Sequence, residues 1–170
     1  IIDKQTDPLD LPGFLKPIEN GKNGGIISEA GLPCIADPGA EIVSIAHRKG
    51  LKVIPLVGPS SILLALIASG FNGQQFAFRG YLPFDQQIRK RVFQAMNKDI
   101  KDGITQIFME TPYRNNKLLD ELLKIMHPET KLCIACDITL ENEYIRTKTI
   151  ANWVGSLPDL HKRPTIFLID

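Results

Sequence analysis

Three observations predict an α/β chain with two α/β domains. Strand–loop–helix patterns occur twice between residues 25 and 70. A second series of strand and helix patterns fills residues 104–169. Between them, Gln75–Pro83 alternates and then turns, which sets a boundary there: an N-terminal α/β domain over 1–80 and a C-terminal one over 81–170. Parallel strands with right-handed crossovers are expected in the first.

The elements follow in order. Asp7–Pro8 and Leu11–Pro12–Gly13 are loop signals, and Phe14–Glu19 is a short helical turn closed by Asn20–Gly21. Gly25–Ile27 ends a buried strand. The small-residue loop Ser28–Gly39 follows, then a helix from Ala40. Asp37 suits the cap of that helix and Pro38 its first position, where an N–H is not needed. His47, Arg48 and Lys49 suit its negative end, and Gly50 its stop. Leu51–Val57 reads as the next strand, Gly58–Ser61 as a loop, and Ile62–Gly70 as a helix apolar on all sides, so buried within the protein or at a subunit interface.

In the second domain, Asp85–Ile100 has helical spacing through Ile88, Val92, Phe93, Met96 and Ile100. Ile104–Glu110 is a strand. Thr111–Pro112 opens a helix over Tyr113–Met126, whose core face is Leu118, Leu119, Leu122, Leu123 and Met126. Lys131–Ile138 is a strand, Glu143–Thr149 its antiparallel neighbour, Ile150–Gly155 a short helix with the only Trp, and Pro164–Ile169 a closing strand. Mixed pairing is expected here.

Composition narrows the function classes. With 44% hydrophobic and 23% charged residues the chain is globular, and a net charge of +1 argues against a strongly basic nucleic-acid binder, though not against a local basic patch. No apolar run reaches the roughly 20 residues of a membrane span, and the first residues lack the order of a signal peptide. Three cysteines, an odd number, make a disulfide framework unexpected, and a reducing cytoplasm is the expected compartment. Cys133 and Cys136 form a C-x-x-C, but within a strand they face opposite sides of the sheet. No second C-x-x-C or paired His completes a zinc set, and His47, His127 and His161 are scattered, so no metal is expected. Walker, G-x-G-x-x-G and G-x-S-x-G motifs are absent.

Three loops at strand ends remain: 28–39, 58–61 and 110–114. Each offers small residues or proline and a helix start, where backbone N–H groups bind acceptors. Helices must be capped in any protein, so one such loop says little. Three of them, split by a domain boundary, favour a cleft between two domains.

The residues of these loops resemble those of the tetrapyrrole methylase superfamily, in the branch that methylates ribosomal RNA on a ribose 2′-oxygen. Ser28-Glu-Ala-Gly-Leu-Pro-Cys-Ile-Ala-Asp-Pro-Gly39 looks like its signature loop, and Pro55-Leu-Val-Gly-Pro-Ser-Ser61 like its second cofactor loop. Gly70 with Phe76-Ala-Phe-Arg-Gly-Tyr-Leu-Pro83 is similar to the stretch leading into its second domain, and Phe108-Met-Glu-Thr-Pro-Tyr-Arg114 to its glutamate–small–proline–aromatic–arginine motif. The match runs from about residue 25 to the end, in order.

The resemblance implies a methyltransferase that binds S-adenosylmethionine in a cleft between two α/β domains, in a homodimer, with ribosomal RNA or the small ribosomal subunit as acceptor. It assigns Ala30, Gly31, Leu32 and Ile35 to the cofactor loop, Ser60 and Ser61 to the second contact, and Glu110 to the same cleft from the second domain. Glu110 is the carboxylate expected to do polar work there, as catalytic residue or as the acid that satisfies the start of the next helix. Arg114, with Arg89 and Arg91 of the Arg89–Lys90–Arg91 trio, is a candidate for RNA phosphate contacts; a solvated helix face also explains the trio. The family's initial strand and its proline/glycine-rich loop have no counterpart here and would precede Ile1, so the first domain is expected to be incomplete. Glu141-Asn-Glu-Tyr-Ile-Arg-Thr-Lys148 also departs from the lysine-to-glutamate stretch of the rRNA branch. Two alternatives stay open: methylation of a tetrapyrrole or another small acceptor, and a truncated, non-catalytic ligand-binding dimer.

Overall fold

The computed structural model describes residues 2–3 and 5–170. The chain packs as two compact units, one up to Ser60 and the other Ser61–Asp170.

The second unit is a mixed five-stranded sheet in the order β1-β2-β5-β3-β4. The strands are β1 (Phe76–Tyr81), β2 (Thr105–Met109), β3 (Lys131–Cys136), β4 (Tyr144–Thr149) and β5 (Thr165–Ile169). β1 and β2 run parallel; the other neighbours are antiparallel. β5 is buried along its whole length because it lies between β2 and β3, and its sequence, Thr-Ile-Phe-Leu-Ile, is apolar on both faces. β1 and β4 lie at the edges and are only partly buried.

Strand alternation sorts the core into two layers. Leu132, Ile134, Cys136, Phe108, Phe167 and Ile169 pack with helices α4 (Gln86–Lys101), α5 (Asn115–Ile125) and α6 (Ile150–Trp153). Cys133, Ala135, Ile107, Ile166 and Leu168 pack with α3 (Ser61–Ser69). Trp153, fully buried, donates from Nε1 to the Leu132 carbonyl at 2.9 Å, so its polar atom is satisfied inside the first layer.

The cysteines of the C-x-x-C do point to opposite faces of β3, and all three cysteines are free. Burial holds the Cys133 and Cys136 thiols above the ordinary thiol value, partly offset by hydrogen bonds with Thr147 and Thr165. Because the thiolate is the nucleophile, iodoacetamide at about pH 8 is expected to modify Cys34 in the folded protein and all three thiols only in denaturant. Mass spectrometry of the two samples checks this; native modification of Cys133 or Cys136 would contradict the burial.

Helix α4 starts as the sequence predicts. Asp85 caps it, accepting from the N–H groups of Gln87 and Ile88 at 2.8 and 2.9 Å. Its buried stripe differs from the expected one: Arg89, Phe93 and Met96 face inward, Val92 and Ile100 are partly buried, and Ile88 is exposed. The stripe turns because the Arg89 guanidinium has partners to bury against. The α5 face is as expected, with Leu118, Leu119, Leu122 and Met126 buried and Leu123 partly so.

β1 and α3 belong to the packing of the second unit, whereas the sequence sets the boundary at about residue 80. The apolar α3 carries no mark of which sheet it covers; only the long-range contacts decide.

In the first unit, Leu11, Leu15, Ile42, Ile45 and Ala46 form a small core from the 3₁₀ turn Leu11–Leu15 and helix α2 (Ala40–Arg48), beside the short α1 (Lys16–Glu19). The end of α2 is as predicted: Leu51 N–H bonds to the Ala46 carbonyl at 2.9 Å and Gly50 N–H to His47 at 3.0 Å, with Gly50 at φ +68°. Its start differs. Gly39, at φ +128°, is the cap residue, and neither Asp37 nor Pro38 takes the expected place. The expected parallel strands at 25–27 and 51–57 form no ladder among the described residues, and Ile27, Ile54, Leu56 and Val57 are exposed. Their apolar runs suit burial on both faces, but a strand exists only where a neighbour takes its N–H and C=O groups. No helix among the described residues is long and apolar enough to cross a membrane.

Candidate functional site

The loop Ser28–Gly39 is held open by its backbone. Gly31 (φ +72°), Cys34 (+70°), Ala36 (+57°) and Gly39 (+128°) all have left-handed or related conformations. For Cys34 and Ala36 this costs on the order of 1–3 kcal/mol each, strain of a kind that collects at ligand sites. Ser28 Oγ donates to the Ala30 carbonyl at 2.9 Å, which bends the chain at the loop's entry. A Cβ on Gly39 would lie 3.0 Å from Cys34 Sγ, so glycine is needed where the loop folds back.

At Gly31 the situation is reversed. A Cβ there would meet nothing within 4 Å, so the loop is open to solvent at this residue. The N–H groups of Gly31 and Leu32 take no hydrogen-bond partner among the described residues. Ala30, Gly31 and Ile35 are exposed and Leu32 is half-buried. The second loop abuts the first: a Cβ on Gly58 would lie 2.8 Å from Leu32 Cδ2. Ser60 is buried and Ser61, the first residue of α3, is exposed. The structure therefore brings the 28–39 and 58–60 loops together. Open space beside free backbone donors and a half-buried apolar Leu32 fits a small ligand with polar and apolar parts, S-adenosylmethionine included.

The third loop lies in the second unit, at the end of β2. Glu110 Oε2 accepts from the Thr111 N–H at 2.5 Å and pairs with Arg114 Nη2 at 2.7 Å. Arg114 also donates from Nε to Thr111 Oγ1 at 3.1 Å. Pro112–Arg114 forms a 3₁₀ turn before α5, and Thr111 makes no side-chain cap. The Glu110 carboxylate is almost wholly buried.

Arg89, Arg91 and Arg114 divide. Arg91 is exposed on α4. Arg89 is only 6% exposed. It pairs with Glu121 Oε2 of α5 at 2.6 Å and donates to the carbonyls of Pro83 and Phe84 at 2.9 and 3.3 Å. It is thus a strut between the β1–α4 loop and α5, away from the solvated role its neighbours suggest. Arg114 sits with its guanidinium carbon 5.0 Å from the centre of the Phe84 ring. Phe84, Arg89, Glu110, Arg114, Lys117 and Glu121 are among the residues lining one pocket of about 450 Å³. The sequence does not single out Phe84, Lys117 or Glu121. Phe84 gives one signal, a large apolar residue placed in a turn after Leu82–Pro83. Among the described residues no group of three or more His, Cys, Asp and Glu side chains is arranged for a metal.

Comparison with known proteins agrees with these loops. The family model described as tetrapyrrole (corrin/porphyrin) methylases matches residues 14–153. The ribosomal RNA small subunit methyltransferase I of Buchnera aphidicola subsp. Schizaphis graminum is 30% identical over 171 aligned residues, covering 99% of this chain and 59% of that protein. The protein of the same name in Bacillus subtilis is 36% identical over 138 residues, covering 81% of this chain and 46% of its own. The chain thus spans about half the length of the curated relatives it matches. Among solved structures, the methyltransferase CobJ superposes with a TM-score of 0.64 over 99% of this chain and 72% of that one, at 15% identity, a likeness of fold. A family match over most of the chain, in a range that includes the 28–39, 58–61 and 110–114 loops, has one reading: the chain belongs to the tetrapyrrole methylase family.

Proposed function

We propose that the protein is an S-adenosylmethionine-dependent methyltransferase that acts on a ribose 2′-hydroxyl of small-subunit ribosomal RNA, as a homodimer with the cofactor cleft between two α/β domains that its sequence implies. The observation that carries this reading is the loop 28–39 of family sequence, left-handed at Gly31, Cys34 and Ala36 and open at Gly31, where the N–H groups of Gly31 and Leu32 take no partner among the described residues. The relatives named for small-subunit rRNA favour RNA over a tetrapyrrole acceptor.

In this reading Ala30, Gly31 and Leu32 hold the cofactor through backbone groups, Ile35 packs against it, and Ser60 and Ser61 contribute hydroxyls. When bound, S-adenosylmethionine supplies a methyl group on a sulfonium, already a good leaving group. The protein's task is then alignment of the acceptor oxygen and exclusion of water. Arg114 and Arg91 hold RNA phosphate, and Arg89 positions the loop beside them. Glu110, the carboxylate assigned to the acceptor side, has its Oε2 taken by Thr111 and Arg114. Its part is to fix Arg114 rather than to accept the proton.

The test is methyl transfer from labelled S-adenosylmethionine by the full natural chain. Label on a ribose of the small-subunit RNA is expected. Label on a corrinoid or porphyrinoid, with none on RNA, would transfer the reading to a small acceptor.

A further inference from the structure

Phe84 is 78% exposed, yet nothing about its surroundings is loose. Arg89 ties the Pro83 and Phe84 carbonyls to Glu121 of α5, and the Asp85 cap fixes the next residue to α4. Arg114 lies 5.0 Å from the ring centre and is itself clamped by Glu110 and Thr111. A large apolar ring is thus held rigidly in the open, backed by a guanidinium, at the rim of a pocket of about 450 Å³. Within the pocket wall, Arg89 Nε is buried without a partner, a donor left available in a side chain otherwise fully engaged. Lys117, an exposed cation, and Gln87, an amide, also line the pocket, together with Asp85, whose carboxylate is engaged in capping α4.

The geometry points to a stacking platform for one unpaired base of a single-stranded RNA, with the Phe84 ring under the base, Arg114 behind the ring and Lys117 facing the phosphate. The chemistry fits in three respects. Splayed bases of single-stranded RNA stack on aromatic rings and guanidinium planes. A cation behind a ring adds to that stacking. The platform is one ring wide, which suits a single base better than a macrocycle. The inference rests on the RNA-acceptor reading above and adds the residue that receives the nucleotide.

Binding of a short fluorescein-labelled single-stranded RNA to the full natural chain, read by anisotropy, tests it. Phe84→Ala is expected to weaken binding about 10-fold, and Phe84→Trp to restore it to near the wild-type value. The same RNA annealed to its complement is expected to bind alike to wild type and Phe84→Ala, since its bases are already stacked. Phe84 is exposed, so the variant keeps its core, and an unchanged melting temperature verifies that. Equal affinity of wild type and Phe84→Ala for the single strand would overturn the inference, as would a Phe84→Trp variant as weak as Phe84→Ala. A change of oligomeric state in Phe84→Ala with RNA binding intact would overturn it in favour of contact with a second copy of the chain. Titration of the same proteins with S-adenosylmethionine separates this result from the methyltransferase reading, which fails only if wild type takes no cofactor.

Discussion

Glu121→Ala is expected to destabilise the second unit by about 3–5 kcal/mol. The Arg89 guanidinium is buried between the β1–α4 loop and α5, and Glu121 is its charge partner at 2.6 Å. The carbonyls of Pro83 and Phe84 satisfy one nitrogen but neutralise nothing. Removing Glu121 leaves a buried cation with no counter-charge, and desolvation then acts against the fold unopposed. The pair itself is not a large net gain, because both ions lose their water on burial. The double variant Arg89→Met, Glu121→Leu should therefore recover most of the loss. Urea unfolding reads both variants as changes in midpoint at constant slope. A loss below about 1 kcal/mol for Glu121→Ala would be the behaviour of a solvent-exposed pair and would contradict the burial of this one.

Gly31→Val is expected to weaken S-adenosylmethionine binding by about 5–140-fold, from a strain of about 1–3 kcal/mol converted at tenfold per 1.4 kcal/mol. Gly31 stands at φ +72°, where a β-branched residue is an outlier. The open space beside it accepts a side chain, but only where the cofactor is proposed to lie. Both effects act on the loop and leave the small core of Leu11, Leu15, Ile42, Ile45 and Ala46 untouched. Calorimetric titration of the variant measures the loss. Wild-type affinity would move the cofactor away from this loop.

The second unit was legible in the sequence because its signals are local. The apolar run at 131–138 gave β3 and its opposed cysteines, Asp85 marked the start of α4, and Pro164–Ile169 read as a closing strand. The order β1-β2-β5-β3-β4 was not legible, since pairing a strand at 165–169 between those at 105–109 and 131–136 depends on contacts distant in sequence. In the first unit the apolar runs 25–27 and 51–57 carry strand composition, but ladders require neighbours, and none lies beside them among the described residues. At the candidate site, strand ends and helix starts singled out the three loops, and resemblance to a family assigned residues within them, Glu110 included. The sequence offered Arg89, beside Lys90 and Arg91, either as an RNA phosphate contact or as part of a solvated helix face, and the side chain is neither. Its burial follows from Glu121, which lies 32 positions away and has no local signature.

The central claim is that the loops at 28–39 and 58–61 hold S-adenosylmethionine. Isothermal titration of the full natural chain with S-adenosylmethionine tests it most directly. Saturable heat, lost or strongly reduced in Gly31→Val, is the predicted result. No heat from the wild-type protein, with its fold verified, would contradict the account.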